Sequence, residues 1–439
     1  MNMIRSWIIA IAFVMMSVCA VNAQDISGDW QGTLKGGQGP DLRLVLRVTK
    51  NDGAGWKGTL YSIDQPPVGL DGFALNLIAL QGTDFKFSVE SPRISFEGKL
   101  AASGNSIEGT WKGVRTLPLE WRRATRETQW TFELPKHSVS FVSVDKDVKL
   151  EVLDFGGTGR PMIFLAGLGS TAHVFDQFAP KFSATHHVYG ITRRGFGASS
   201  APVPASGNYS ADRLGDDILA VMVTLKLDRP VLVGHSIAGE EMSSIGSRHP
   251  ENISGLVYLD AGYAYGYYDS SQGNFLIDAI ELRKKLEQLM FGGGQKTPLE
   301  LVQELLQNDL PRVEKGLRKE QERIRVRPAP PKGQENPVRA SAVDKAVLEG
   351  QQKYTDIRIP ILAFFAVPHK PDNVFEDDPA ARARLEAWEL ARMETLAKAF
   401  ESGLPSARVV RLPNADHFVI QTHEADVLRE MRAFLNTLR

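Results

Sequence analysis

The pattern that most constrains this chain is an alternation that begins near residue 148. Short aliphatic runs at 148–155, 161–166, 188–192, 230–233 and 255–260 are separated by stretches of helical period at 211–225 and 237–248. The apolar runs are nearly continuous, so strands made from them must be covered on both faces. Strands of that kind alternating with helices predict a parallel sheet flanked by helices on both sides. The alternation breaks at about 261–356, where 277–290, 298–306 and 313–324 read as amphipathic helices rich in Lys, Arg, Glu and Gln, followed by Pro328-Ala329-Pro330-Pro331. The sheet resumes at 359–366 and 407–412, with a long helix at 379–400 between them and a closing helix at 425–438. The middle block therefore reads as a helical cap inserted in an α/β core, its charges forming a solvated face.

Residues 24–123 have a different texture. Leu44, Leu46 and Val48 alternate with Arg43 and Arg47, and Phe85-Lys86-Phe87 and Ile94-Ser95-Phe96-Glu97 alternate likewise. Turn signals stand between the runs at Gly36-Gly37, Asn51-Asp52-Gly53, Gly82-Thr83-Asp84 and Ser103-Gly104-Asn105. About eight short strands at this spacing predict an all-β antiparallel meander closed into a small barrel or sandwich. A W-x-G triplet recurs at Trp30, Trp56 and Trp111, whose side chains read as core plugs rather than ligand platforms. Residues 124–136 read as a linker and 137–439 as the α/β domain.

The first residues read as an export signal. Arg5 precedes an apolar run at 7–18, and Val21-Asn22-Ala23 offers a small-residue cleavage site, which makes 1–23 a signal peptide. The run is shorter than the ~20 residues of a membrane span, so no stable membrane insertion is expected after cleavage. A periplasmic or secreted location follows. Cys19 is the single cysteine, and its removal with the signal excludes disulfides, a thiolate nucleophile and a Cys-ligated metal. Balanced charge, 51 Lys+Arg against 52 Asp+Glu, gives no reason to expect a nucleic-acid partner.

Within the α/β region, Pro230-Val231-Leu232-Val233-Gly234-His235-Ser236-Ile237-Ala238-Gly239 places a Ser between a strand and a helix. Two readings compete there. Ser236 could cap the helix, or it could be a nucleophile on a strained strand-to-helix turn, for which Gly234 and Ala238 supply the small neighbours needed. Other segments favour the nucleophile. Phe164-Leu165-Ala166-Gly167-Leu168-Gly169-Ser170 ends a strand in a Gly-rich turn whose Leu168 N–H could converge with that of Ile237 on an oxyanion. No GK[ST] or dinucleotide glycine spacing follows, which excludes a phosphate cradle. Asn414-Ala415-Asp416-His417-Phe418 places a His after the last strand, in the chain order Ser, acid, His.

With Arg194-Gly195-Phe196-Gly197-Ala198-Ser199 also in its usual place, residues 137–439 resemble the α/β-hydrolase fold with a helical cap, preceded by a small all-β domain. The elbow ends in Ala238 where the family has Gly, and the oxyanion loop begins Ala166-Gly167 where His-Gly is usual. The resemblance implies Ser236 as nucleophile, His417 as base, and Leu168 and Ile237 as oxyanion donors. The acid departs from the common pattern: Val367-Pro368-His369 puts a His where an Asp is expected, leaving Asp260, at the tip of the strand after the nucleophile helix, and Asp372 as candidates, with Asp260 favoured. Its task is to orient the His417 tautomer. His235 reads as buried and structural, and Glu240 and Glu241 as favourable to the helix dipole. His173, Tyr263 and Tyr265 could line a substrate pocket. No spacing suggests a metal, and no cofactor is expected. The expectation is a serine hydrolase, carboxylesterase-like, acting on small or medium esters. Amidase, peptidase or C–C bond hydrolase activity stands as an alternative, as does a non-catalytic binding protein using its β domain.

Overall fold

The structure, a computed structural model, describes residues 25–35, 42–51, 55–63, 72–90, 94–113, 116–130, 137–326, 341–369 and 379–438. The expected signal segment, the Gly36-Gly37 turn, Asp52-Gly53, the proline cluster at 328–331 and Asp372 lie outside the described residues. The chain divides into two units near residue 133.

The first unit is all-β. Strands β1 (Gly28–Leu34), β2 (Leu42–Lys50), β3 (Trp56–Ser62), β4 (Phe73–Ala74), β5 (Leu77–Gln81), β6 (Asp84–Val89), β7 (Ile94–Leu100), β8 (Ser106–Lys112) and β9 (Thr116–Arg123) form one antiparallel sheet, ordered β4-β3-β2-β1-β9-β8-β7-β6-β5. Two meanders meet where β1 lies beside β9, with Trp30 opposite Arg123. Period-two alternation gathers Leu44, Leu46, Phe85, Phe87 and Phe96 on the inner face with Trp30 and Trp121. Trp30 and Trp111 are buried in that core, whereas Trp56 is half-buried beneath the Lys50 ammonium. Residues 124–130 do not run free. Gln31 donates to the Thr128 carbonyl (3.0 Å) and accepts from the Trp130 N–H (2.5 Å), strapping this stretch to β1.

The second unit holds a mixed sheet of β10 (Ser138–Asp145), β11 (Val148–Gly156), β12 (Arg160–Leu165), β13 (His186–Ile191), β14 (Val231–His235), β15 (Gly255–Leu259), β16 (Ile361–Ala366) and β17 (Ala407–Leu412), ordered β10-β11-β13-β12-β14-β15-β16-β17. Pairing is antiparallel from β10 through β13 and parallel beyond. β14, β15 and β16 are buried at every residue, as their unbroken apolar runs require. Helices α1 (Ala211–Thr224), α2 (Ala238–Arg248), α7 (Pro379–Gly403), α8 (Val419–Thr422) and α9 (Glu424–Leu435) accompany the sheet, and separate apolar clusters fill its two faces. The cap between β15 and β16 consists of α3 (Phe275–Phe291), α4 (Pro298–Glu304), a π turn at Leu305–Asp309, α5 (Leu310–Val326) and α6 (Ala342–Glu349). Its charges are only partly a solvated face. Lys285 reaches Glu281, Glu304 and Asp309 at 2.8–2.9 Å, and Asp309 is 2 % exposed, so this network binds the cap helices together.

The parallel strands all end on one edge. Gly167 and Leu168 follow β12, Ser236 follows β14, Asp260 follows β15, His369 follows β16, and His417 lies beyond β17.

Candidate active site

Ser236 leaves β14 with φ +54, a left-handed conformation that costs a non-glycine residue about 1–3 kcal/mol. A helix-capping serine would be extended, with its oxygen on an N–H of the first turn. Here the residue at the start of α2 is instead Ile237, already helical and without a side-chain cap. The turn is tight enough that a Cβ on Gly234 would lie 2.7 Å from Met242 Cε and 3.1 Å from Ala238 Cβ. The Ser236 hydroxyl is thereby aimed at His417, whose Nε2 lies 2.8 Å from its Oγ.

The loop after β17 turns at Asn414 (φ +55) and presents His417 with its Nδ1 2.6 Å from Asp260 Oδ2. Asp260 is fully buried at the end of β15. Its Oδ1 accepts from the Ala366 N–H (3.0 Å), and its Oδ2 also takes the Tyr263 hydroxyl (2.9 Å) and His369 Nε2 (2.6 Å). Burial alone would raise the Asp260 carboxyl, but the hydrogen bonds and charges of His369 and His417 outweigh it and hold the group well below the usual carboxylate range. An ionised Asp260 fixes the tautomer with the proton on Nδ1, leaving Nε2 to accept from Ser236. His235 supports the same loop. Its Nε2 donates to the His417 carbonyl (3.0 Å) and its ring stacks on Phe418 at 4.3 Å. Burial, helped by nearby His417, pushes His235 down to about 3, so it remains neutral.

The Gly-rich turn after β12 approaches from the other side. A Cβ on Gly167 would stand 2.8 Å from His235 Nδ1 and 3.2 Å from Ser236 Cβ, so only glycine allows this approach. Neither the Leu168 N–H nor the Ile237 N–H meets an acceptor among the described residues. The loop is tied down by Arg193, which donates to the Ala166 carbonyl at 2.9 Å and the Gly167 carbonyl at 3.4 Å and pairs with Glu241 on α2. Glu241 is raised by burial, with Arg193 opposing. Its neighbour Glu240 is fully buried, its two oxygens meet no donor among the described residues, and burial together with the Glu241 charge raises it well above the usual range. These two side chains are therefore core groups, beyond the dipole role expected of them.

Tyr263 and Tyr265 stand at the entry to the cap with ring centroids 5.6 Å apart. Tyr263 donates to Asp260 Oδ2, and Tyr265 packs against the small apolar cluster that contains Ile237 and Leu214. His173 turns elsewhere, its ring nitrogens 3.4 Å from Glu151 Oε1 and 3.5 Å from Asp176 Oδ2. Sequence reasoning noticed that His369 occupies the usual acid position but not that it reaches Asp260. It also missed Glu389 and Arg392 behind it and the Arg193 tie.

Two groups of described residues could converge on a cation: His137, His173 and Asp176, and Asp260, His369 and His417. In the second group Asp260 Oδ2 lies 2.6 Å from each imidazole nitrogen. Two ligands each ~2.0–2.1 Å from one tetrahedral ion stand over 3 Å apart, so this spacing is that of direct hydrogen bonds.

Residues 160–293 match the family model for the alpha/beta hydrolase fold. A 2-(acetamidomethylene)succinate hydrolase from Mesorhizobium japonicum is 23 % identical over 296 residues, 64 % of this chain and 89 % of that protein. A fluoroacetate dehalogenase from a Burkholderia species is 33 % identical over 24 % of this chain, and 3-oxoadipate enol-lactonase 2 from Acinetobacter baylyi is 30 % identical over 28 %. Those matches span only 35 % and 45 % of the two relatives. The crystal structure of E-2-(acetamidomethylene)succinate hydrolase aligns with a TM-score of 0.42 and 22 % identity, covering 69 % of this chain and all of that one.

Proposed function

Because its C-terminal unit belongs to the α/β-hydrolase superfamily, we propose that this chain is a serine hydrolase cleaving small or medium carboxylic esters through an acyl-enzyme. One observation carries the reading: a serine held at φ +54 on a strand-to-helix turn, with Oγ 2.8 Å from His417 Nε2 and that imidazole 2.6 Å from a buried carboxylate. Ser236 Oγ attacks the carbonyl carbon as its proton passes to His417 Nε2. Asp260 stabilises the imidazolium so formed. The tetrahedral oxyanion is taken by the Leu168 and Ile237 N–H groups, of which each such donor is typically worth ~3 kcal/mol. His417 returns the proton to the departing alkoxide, leaving acyl-Ser236 and free alcohol. A water then attacks the acyl carbon, its proton goes to His417 and on to Ser236 Oγ, and the carboxylic acid leaves.

An exported location is part of the same proposal, supported by Arg5, the apolar run at 7–18 and the small residues before Gln24. Among the described residues no helix is long and apolar enough to cross a membrane. The test of activity is turnover of p-nitrophenyl acyl esters of increasing chain length. Turnover that vanishes in Ser236→Ala supports the reading, and the preferred chain length measures the depth of the acyl pocket. Equal turnover in Ser236→Ala excludes it.

A further inference from the structure

Asp260 is shared between two histidines. Its Oδ2 takes His417 Nδ1 and His369 Nε2 at the same 2.6 Å, with the Tyr263 hydroxyl as a third donor at 2.9 Å. The other ring nitrogen of His369, Nδ1, lies 2.7 Å from Glu389 Oε1 on α7. Glu389 is in turn gripped through both oxygens by Arg392, at 2.7 and 2.8 Å. An ionised carboxylate only accepts hydrogen bonds, so an imidazole between two of them must donate from both nitrogens, and that form is the imidazolium. The loops after β16 and β17 also pair, His369 with Ala415, which fixes the two histidine rings edge to face at 5.8 Å.

We propose that His369 is a positioning residue of the hydrolytic site, a fixed cation that shares Asp260 with His417 and extends the working range of that base to lower pH. The inference rests on Ser236, His417 and Asp260 being the catalytic set. The groups facing His369 are Asp260 beyond β15, Glu389 on α7 with Arg392 behind it, Tyr263 at the cap entry, and His417 beyond β17. Burial pulls the His369 imidazole down, but hydrogen bonds and charge from Asp260 and Glu389 prevail and lift it to about 9. The cation therefore persists through neutral pH. It takes part of the Asp260 field and sets a fixed positive charge 5.8 Å from the ring that must receive the Ser236 proton. The same cation lets Asp260 remain ionised while fully buried.

The test is kcat/KM against pH for a p-nitrophenyl ester, with the full chain as wild type, His369→Gln and Glu389→Gln. Loss of the His369 charge moves the acid limb of the profile up by about one to two pH units, from a cation at this separation in a partly solvated site, with KM little changed. Glu389→Gln, which removes the carboxylate holding the second proton of His369, moves the limb the same way by less. A folded His369→Gln enzyme whose turnover falls equally at every pH, its limb unmoved, overturns the proposal and leaves only a packing role. Should His369→Gln not fold, Glu389→Gln decides: an upward shift supports the proposal and a fixed limb overturns it. Failure of the underlying reading looks different, because wild-type turnover would then be independent of Ser236.

Discussion

Replacing Arg193 by Met separates what holds the site together from what the site does. The Arg193 guanidinium, 6 % exposed, spans from Glu241 on α2 to the carbonyls of Ala166 and Gly167, the residues just before the Leu168 N–H. Methionine keeps the aliphatic stem and deletes every donor, leaving a carboxylate that is 3 % exposed without its counter-ion. Breaking a buried pair from one side costs about 3–5 kcal/mol. Burial already favours the protonated form of Glu241, so proton uptake relieves part of the loss and the lower end, ~3 kcal/mol, is expected. Adding Glu241→Leu removes the orphaned charge and returns stability to within ~1 kcal/mol of wild type, since apolar replacement of a buried pair is often neutral. Activity does not return with it. An oxyanion donor removed outright costs ~10²–10³ in kcat, and one merely loosened predicts a fall of about 10–100-fold in both variants. Urea unfolding followed by circular dichroism gives the first quantity, and ester hydrolysis under saturating substrate gives the second. The tie is refuted if Arg193→Met keeps both stability and kcat, or if the double variant regains kcat along with stability.

Other expectations follow from the same geometry. Asp260→Asn removes the acceptor that fixes the His417 tautomer and lowers kcat by ~10⁴, measured with a p-nitrophenyl ester; a loss below tenfold would remove Asp260 from the role of acid. Glu240→Gln tests the raised carboxyl on α2. A group whose folded pKa lies above its unfolded value contributes stability fully present below about pH 4.5 and lost as pH rises towards the folded value, at ~1.4 kcal/mol per pH unit. The Gln variant therefore gains on wild type as pH rises through that window, read as the difference in urea midpoint at pH 5 and pH 8, and parallel curves would contradict the buried-carboxyl account.

How much of this the sequence made legible varied with the range of the interactions involved. Strands β11 to β16 could be read because each is a short and largely buried apolar run, and β17, an edge strand buried only at Leu412, was still visible from its adjacent valines. Strand β10 escaped notice although Val139 and Phe141 alternate with serines: it is an edge strand whose only buried residue is Val142, so it lacks the unbroken apolar run of the inner strands. Helix α6 was missed beside the proline cluster, although Ser341 and Asp344 form a capping box at its start. The closed barrel or sandwich expected of the first unit is a nine-stranded sheet curled as a half-barrel, its β1–β9 pairing joining ends that local patterns cannot connect. In the candidate site, Ser236, His417 and the Gly167-Leu168 turn each sit in a local motif, which made them visible. The partnership of Asp260 with His369 bridges 109 residues, and that of His369 with Glu389 joins a loop to the middle of α7. Such contacts depend on where the cap returns the chain to the sheet, and no periodicity in the sequence encodes that return.

The central claim, that Ser236 is a nucleophile activated through His417, is tested most directly by covalent capture. The full chain treated with a p-nitrophenyl alkylphosphonate should release one equivalent of p-nitrophenol and gain one phosphonyl group, located on Ser236 by peptide mass mapping. The gain should be absent in Ser236→Ala and strongly slowed in His417→Ala. A folded wild-type protein that takes up no phosphonyl group, or takes it up on another residue, would contradict the account.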